Sequence, residues 1–550
     1  MAGGDRALSP AGTVRRGAAG GAEARDRHVR LGLGLAASLL LAGLLGGAFL
    51  VLLLTSDAVP DPLAVLADPY LRAVTGFTLL QAGLSALLSV AGGVPLGLAL
   101  HRTRFAGRAL VLRLLLLPQV LPVLVGALGI VAVWGFNGLV SDALAALGLA
   151  RINVYGLAGI LLAHAFFNLP LVARMVVGAL DGVPAERWKL AGQLGLGRLA
   201  TFRIVEAPAL RAVLPGAFGL VFMLCATSFT LVLVLGGGPA ASTLQVAIYK
   251  ALSLDFAAGN AVALCLVQVS LTALVLLALS RLPGREAGGF TLGAAPRRYD
   301  RPSRLASAAD TAVLFLGLLF VGAPFAAILL GGLGSDLGPL LANPAVHRAT
   351  LTSLVVGLCA ASLAVLLSLA LLAAGRERPG SAFEIGPSLV LVVPPVVVGA
   401  GWFLVLRQVT DVYAAAPYVV VATNAAMSVP FVTRIVGPAL AAAHAGQDRL
   451  ARSLGLFGLA RWRLVDWPAA RRPLTLAFAF AFALSLGDLG AIALFGSPDF
   501  QTLPFLLYQR LGSYRSTDGE GLALLLGVVC LALMLLAERG AAPSVRRPLA

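Results

Sequence analysis

Lysine is almost missing from this chain: Lys189 and Lys250 are the only two in 550 residues. Neither stands in a Gly-x-x-x-x-Gly-Lys-Ser/Thr run, so there is no phosphate-cradling loop. Any work drawn from a nucleoside triphosphate must come from another polypeptide. Histidine is scarce too, at positions 28, 101, 164, 347 and 444, and none of these has metal-ligand spacing. The four cysteines, Cys225, Cys265, Cys359 and Cys530, all fall in apolar runs and read as free core thiols. No nucleophile–base arrangement stands out. The expectation is a chain that is not an enzyme, with no cofactor and no metal.

Charge is also sparse, at 12% of residues, against 59% hydrophobic and a mean hydropathy of +0.93. That excludes a soluble protein and leaves an all-α polytopic membrane protein. About twelve windows are long and apolar enough to span, near 31–54, 73–100, 109–136, 153–180, 209–236, 259–280, 308–331, 350–374, 386–408, 415–440, 472–495 and 519–537. They lack the alternation of a barrel strand. The net charge of +16 could suggest nucleic acid, but the Arg residues cluster in alternate connections. Arg72, Arg151, Lys250, Arg348, Arg407, Arg510 and Arg515 are the outside exceptions. This positive-inside bias places both termini in the cytoplasm.

The chain repeats itself. Ala191, Gly195, Val205 and Pro208 recur as Ala451, Gly455, Val465 and Pro468, each 260 residues on. Both copies are Arg-bearing segments between apolar runs, each expected to form a short helix, a Gly turn and a second helix opened by Pro. Two six-span halves are expected: 31–280 with its loop at about 181–208, and 308–540 with its loop at about 441–468. Residues 1–30 read as a disordered basic tail, 281–307 as a cytoplasmic linker and 541–550 as a C-terminal tail. Both halves begin inside, so the repeat is parallel, with a pseudo-two-fold axis along the membrane normal.

Several polar positions interrupt the spans. Phe482, Ser485 and Asp488 share one helical face, and Phe222, Cys225 and Ser228, with Phe229 adjacent, answer them in the first half. Asp488 admits two readings: a pathway residue attracting a cationic substrate, or the partner of a nearby Arg or backbone donor. His164, opposite Asn424, is expected to make an interhelical hydrogen bond. The prolines of Leu117–Pro122 and Val392–Pro395 read either as packing kinks or as gating elements. The outside loop 496–518 carries Phe505, Leu506, Tyr508 and Gln509 on an expected interfacial helix, with Arg510, Tyr514 and Arg515 exposed. It is either a membrane anchor or a docking rim for an external binding protein.

The paired loops, with Ala, then Gly four on, then Pro thirteen on, resemble the EAA loop of binding-protein-dependent ABC importer permeases. In that family the short helix couples to a cytoplasmic ATPase. Carried onto this chain, the coupling residues are Lys189, Ala191, Gly195 and Pro208, with Arg449, Ala451, Gly455 and Pro468. Lys189-Leu190 and Arg449-Leu450 depart from the Glu-Ala that opens the consensus. The wording Phe495-Gly496, Asp499-Phe500, Thr502–Phe505, Tyr508-Gln509, Gly512–Ser516 and Asp518-Gly519 is similar to thiamine/thiamine pyrophosphate importer permeases. So are Ala163–Pro170, Phe222–Cys225 and Leu235–Pro239, and the resemblance runs over about 60–540.

The resemblance implies the type I ABC importer permease fold in a bacterial inner membrane. It implies an ATP-binding cassette dimer inside, and a periplasmic or lipid-anchored substrate-binding protein outside. An iron(III) or other small-solute importer is the neighbouring reading. A major-facilitator-like secondary transporter is more remote, because the loop His101–Arg108 lacks that family's Asp.

Overall fold

The structure, a computed structural model, describes residues 11–55, 67–281, 304–512 and 516–541. The 1–10 end of the tail, most of the linker 281–307, and Tyr514 and Arg515 lie outside the described residues. Among the described residues there are helices and turns and no strand. Among the described residues eleven helices are long and apolar enough to cross a membrane. The broken pair Ala382–Val392 and Pro395–Val409, bent by 84°, makes twelve if it is one span.

The principal helices are α1 (Ala11–Thr55), α2 (Pro69–Arg102), α3 (Val123–Trp134), α4 (Leu157–Asp181), α5 (Ala185–Gln193), α6 (Ala207–Ala226), α7 (Leu244–Ser253) and α8 (Ala258–Ser280). They continue with α9 (Arg304–Gly334), α10 (Pro344–Glu377), α11 (Pro395–Val409), α12 (Val412–Ser453), α13 (Trp467–Gly487), α14 (Leu503–Gly512) and α15 (Ser516–Ala541).

Sequence chemistry sets their ends. Asp68 caps α2 by accepting from the Tyr70 N–H at 2.8 Å, and Asn343 caps α10 by accepting from the Ala345 N–H at 2.9 Å. Each cap is followed by Pro at the first helical position, where no N–H is needed. The third and ninth spans break at matched places. Pro122 and Pro394 adopt extended backbone, so each crossing splits into short pieces before α3 and α11.

Helices α2, α4 and α6 pack together in the first half, and α10, α12 and α13 in the second. Buried polar groups link them. The Ser85 hydroxyl lies 2.9 Å from His164 Nδ1, and Gln81 Nε2 donates to the Cys225 carbonyl at 2.9 Å. In the second half Asn424 Nδ2 donates to the Ser485 hydroxyl at 2.9 Å. His164 and Asn424 thus both make interhelical hydrogen bonds.

The two halves are not separate bundles. Helix α1 packs on α10, α11 and α12, and the Trp402 indole N–H donates to its Leu44 carbonyl at 2.8 Å. Helix α9 packs on α2 and α3 of the first half and on α15. The first crossing of each half therefore lies on the other half, and the linker divides the sequence without dividing the packing. The disordered tail expected over 1–30 also departs from the structure. Helix α1 is helical from Ala11, and its Asp26–Arg30 turn has partners: Arg30 pairs with Asp26 and, at 2.9 Å, with Glu377.

Gly129 is where α9 comes closest to α3. A Cβ there would lie 2.8 Å from the Pro324 carbonyl oxygen and 2.7 Å from Ile328 Cδ1. Gly129→Val is expected to destabilise by about 1–3 kcal/mol through overpacking. Gly178→Ala, with open space around it, serves as the comparison. Thermal unfolding in detergent checks this, with a lowered midpoint only for the Gly129 variant.

Candidate functional site

The paired loops fold alike, turn for turn. Helix α5 ends at Gly195 with φ +62°, and α12 ends at Gly455 with φ +66°. The Leu196 N–H donates to the Ala191 carbonyl at 3.0 Å and the Gly195 N–H to that of Gly192 at 3.1 Å. Leu456 to Ala451 (2.9 Å) and Gly455 to Arg452 (3.1 Å) repeat the pattern. This is the Schellman closure, and glycine adopts its left-handed backbone without steric cost. Each loop then runs through one short turn, Arg198–Thr201 or Gly458–Arg461, and a wide π-type turn, Phe202–Glu206 or Trp462–Asp466. The wide turn makes room for Pro208 and Pro468, whose rings would strike a carbonyl in a regular helix.

Ala191 and Ala451 are buried against their own bundle, while Lys189, Arg449, Pro208 and Pro468 are exposed. The surface each loop offers is built instead by Leu190 and Leu194, and by Leu450 and Leu454, all more than half exposed. These are two matched pairs of exposed leucines, one on α5 and one at the end of α12. Sequence reasoning passed over them because leucine is unremarkable beside membrane spans; their signal was recurrence at the same offset.

The loops differ in how they join the spans. Gly182 and Pro184 separate α4 from α5, whereas Ala442 and His444 stand at those positions in the second copy, and α12 runs unbroken to Ser453. Each loop is also fixed by charge. Glu206, with no exposed surface, accepts from Arg102 Nε at 3.1 Å and from Arg102 Nη2. In the second loop Asp448 meets Arg376 and Arg461, each at 2.6 Å, and Asp466 meets Arg461 at 3.5 Å and His444 at 3.1 Å.

The expected pathway residues are spread over packing and turn positions. Cys225, Phe229, Phe482 and Ser485 are buried among helices, and Phe222 and Ser228 are half-buried. Phe482 packs over Gly357, and Cys225 Sγ lies 3.5 Å from Asn168 Nδ2. Helix α13 ends at Gly487. The half-buried Asp488 carboxylate accepts from the N–H groups of Gly490 (3.0 Å) and Ala491 (3.3 Å), opening the short helix Ile492–Phe495. Its partners are backbone donors.

The face opposite the loops is formed by α7 and α14. Their first N–H groups are satisfied from neighbouring spans: Leu244 donates to the Thr78 hydroxyl at 3.0 Å, and Leu503 to the Ser353 hydroxyl at 2.7 Å. Helix α14 does not lie on the surface as expected, because Phe505 and Leu506 are buried and the helix packs against α10 and α15. Its apolar positions have a protein core to enter. Tyr249 and Tyr508, equivalent in the repeat, interact through their side chains. Side chains that reach their own counterparts lie near the line about which the two copies repeat. Arg510 pairs with Asp518 at 3.3 Å. A cavity of about 420 Å³ at this end is lined by Asp411, Tyr413, Gly496, Ser497, Pro498 and Asp499.

Residues 93–284 match the family described as binding-protein-dependent transport system inner membrane component. The chain is 50% identical over 509 residues to the thiamine transport system permease protein ThiP of Brucella abortus (strain 2308), covering 91% of this chain and 94% of that protein. It belongs to the thiamine transport system permease family. The ThiP of Escherichia coli (strain K12) is 40% identical over 515 residues, covering 92% of this chain and 96% of the relative. The sulfate transport system permease protein CysT of Salmonella typhimurium is 30% identical over 224 residues, 40% of this chain and 79% of that protein. The chain is thus a multi-pass inner-membrane transport component, and its named relatives are permeases.

Asp488→Ala removes a helix cap and is expected to cost about 1 kcal/mol, while Asp488→Asn keeps an accepting oxygen and is expected to retain stability. Thermal unfolding, with uptake normalised to protein in the membrane, checks this. A loss of uptake in the Asn variant at unchanged stability would favour the pathway reading of the carboxylate.

Proposed function

We propose that this chain is the permease of an ABC importer that carries thiamine into the cytoplasm. A substrate-binding protein delivers the solute at the α7/α14 face. A separate ATPase dimer grips the two loops, and both termini lie on the ATPase side. The observation that supports this most is the pair of loops: two equal left-handed glycine turns, each presenting two exposed leucines, on a chain half identical to a named thiamine permease. A two-fold motor needs two equivalent grips, and the chain holds no nucleotide loop of its own.

The mechanism follows from rigid attachment. Closure of the ATPase dimer on ATP draws the two loops together. The second loop is the end of α12 itself, so α12 moves with it; the first passes its motion to α4 across the Gly182–Pro184 joint. The crossings tilt, the Tyr249–Tyr508 contact on the axis parts, and the path opens toward the binding protein. ATP shifts this equilibrium only because the closed ATPase dimer fits one arrangement of the loops better than the other. Phe222, Ser228, Phe229 and Tyr508 are the path-side candidates. Tyr508 and Arg510 flank the delivery face, and the acidic cavity of Asp411 and Asp499 complements a cationic solute.

Gly195→Val and Gly455→Val force a β-branched residue into the left-handed region, which costs about 1–2 kcal/mol and shifts the loop. Both variants are expected to insert normally, to lose most labelled-thiamine uptake, and to leave the ATPase turning over. Undiminished uptake in both would overturn the grip assignment. Uptake that survives ATP depletion but not collapse of the proton gradient would overturn the importer itself.

A further inference from the structure

The two loops are held by a crossing that belongs to the other half. In the first loop Arg198 Nη2 donates to Asp310 at 2.6 Å, and Arg198 Nη1 donates to the Ala306 carbonyl at 2.9 Å. Both partners lie on α9, the opening helix of the second half. Asp310 is buried and also stands 3.7 Å from Arg102 Nη1 at the end of α2. Arg102 in turn holds the buried Glu206 at the start of α6. The result is a run of alternating charge, Glu206, Arg102, Asp310, Arg198, that joins three crossings and the loop.

The second loop has the same arrangement with different atoms. Gly458 is the counterpart of Arg198 at the 260-residue offset, and its N–H donates to Asp26 at 3.2 Å. Asp26 lies on α1, the opening helix of the first half, and is fixed by Arg30, which also pairs with Glu377 at the end of α10. At one position in both loops, then, an acid from the opposite half's first helix takes the contact.

We propose that Asp310 and Asp26 are positioning residues that strap each loop to the other half, so that the pull on one loop moves both halves together. This rests on the loops being the ATPase grips. The physics favours the Asp310 contact as the firmer transmission point, since Asp26 is half-buried and reaches its loop through one backbone N–H. A buried carboxylate shared by two arginines cannot give up one partner without leaving uncompensated charge in a poorly solvated place. The loop, α2 and α9 are therefore held as one unit at this end of the molecule. A single strap would let the halves move out of step; two related straps make the motion concerted.

The test uses the complete transporter in proteoliposomes, reading ATP hydrolysed per labelled thiamine imported. In Asp310→Asn this ratio is expected to rise about fivefold or more, the lower end of usual coupling free energies. Asp310→Glu, which keeps the charge, is expected to stay near the unaltered ratio. Asp26→Ala, which removes the accepting oxygen, reports the second strap independently should the Asp310 variant fail to insert, and the same rise is expected. An unchanged ratio in Asp310→Asn and Asp26→Ala, with uptake falling only as protein abundance falls, would overturn the straps. Gly195→Val in the same vesicles separates the two claims. If it raises the ratio while the strap variants do not, the straps alone fail; if it too is silent, the grip assignment fails.

Discussion

A carboxylate with no exposed surface, Glu206, sits where the first loop turns back into the bundle, and its charge is met by Arg102 from the neighbouring crossing. Burying an ion is tolerable only when a partner arrives in good geometry, so this pairing fixes the loop's return angle and the end of α2 at once. The second loop obeys the same constraint with Asp466, Arg461 and Asp448. The wide turns before Pro208 and Pro468 end on Glu206 and Asp466, and the left-handed glycines sit one short turn upstream of them. The exposed leucines are aimed by that scaffold. A loop on a membrane surface would otherwise adopt many arrangements, and a contact surface for a partner needs one.

The opposite face solves a different problem. Where the crossings break, backbone groups lose their helical partners, and they cannot be left bare at membrane depth. Thr78 and Ser353 supply acceptors to the first N–H groups of α7 and α14, and Asp488 supplies one to the turn after α13. These polar side chains in apolar crossings are structural supports of the broken segments. The side chains of Tyr249 on α7 and Tyr508 on α14 then interact with each other.

Much of this was legible in the sequence. Matched Gly and Pro at a constant offset foretold two equal turns, because only a left-handed backbone demands glycine there and only a helix start welcomes proline. The continuity of α12 departs from the separate short helix expected in the second loop; its signal is Ala442 and His444 standing where the first copy has Gly182 and Pro184. The exchange of α1 and α9 was not. A crossing apolar on all sides carries no record of which neighbour it will face, and the close approaches at Gly129 and Gly34 show only once the helices are placed. Helix α14 was read as a surface helix for the same reason: Phe505 and Leu506 suit a lipid headgroup layer and a protein core equally. The loop contacts of Asp26 and Asp310 join residues 432 and 112 positions apart, and no spacing announces them.

The central claim is that the two loops are the grips of a separate two-fold motor. The most direct measurement places single cysteines at Leu194 and at Leu454, in a chain whose four native cysteines are replaced, and cross-links each to the ATPase subunits of the assembled transporter. The account predicts that both positions link, each to one ATPase subunit, and that the span of the cross-link shortens when ATP is trapped. Links to an external binding protein, or none from either position, would contradict it.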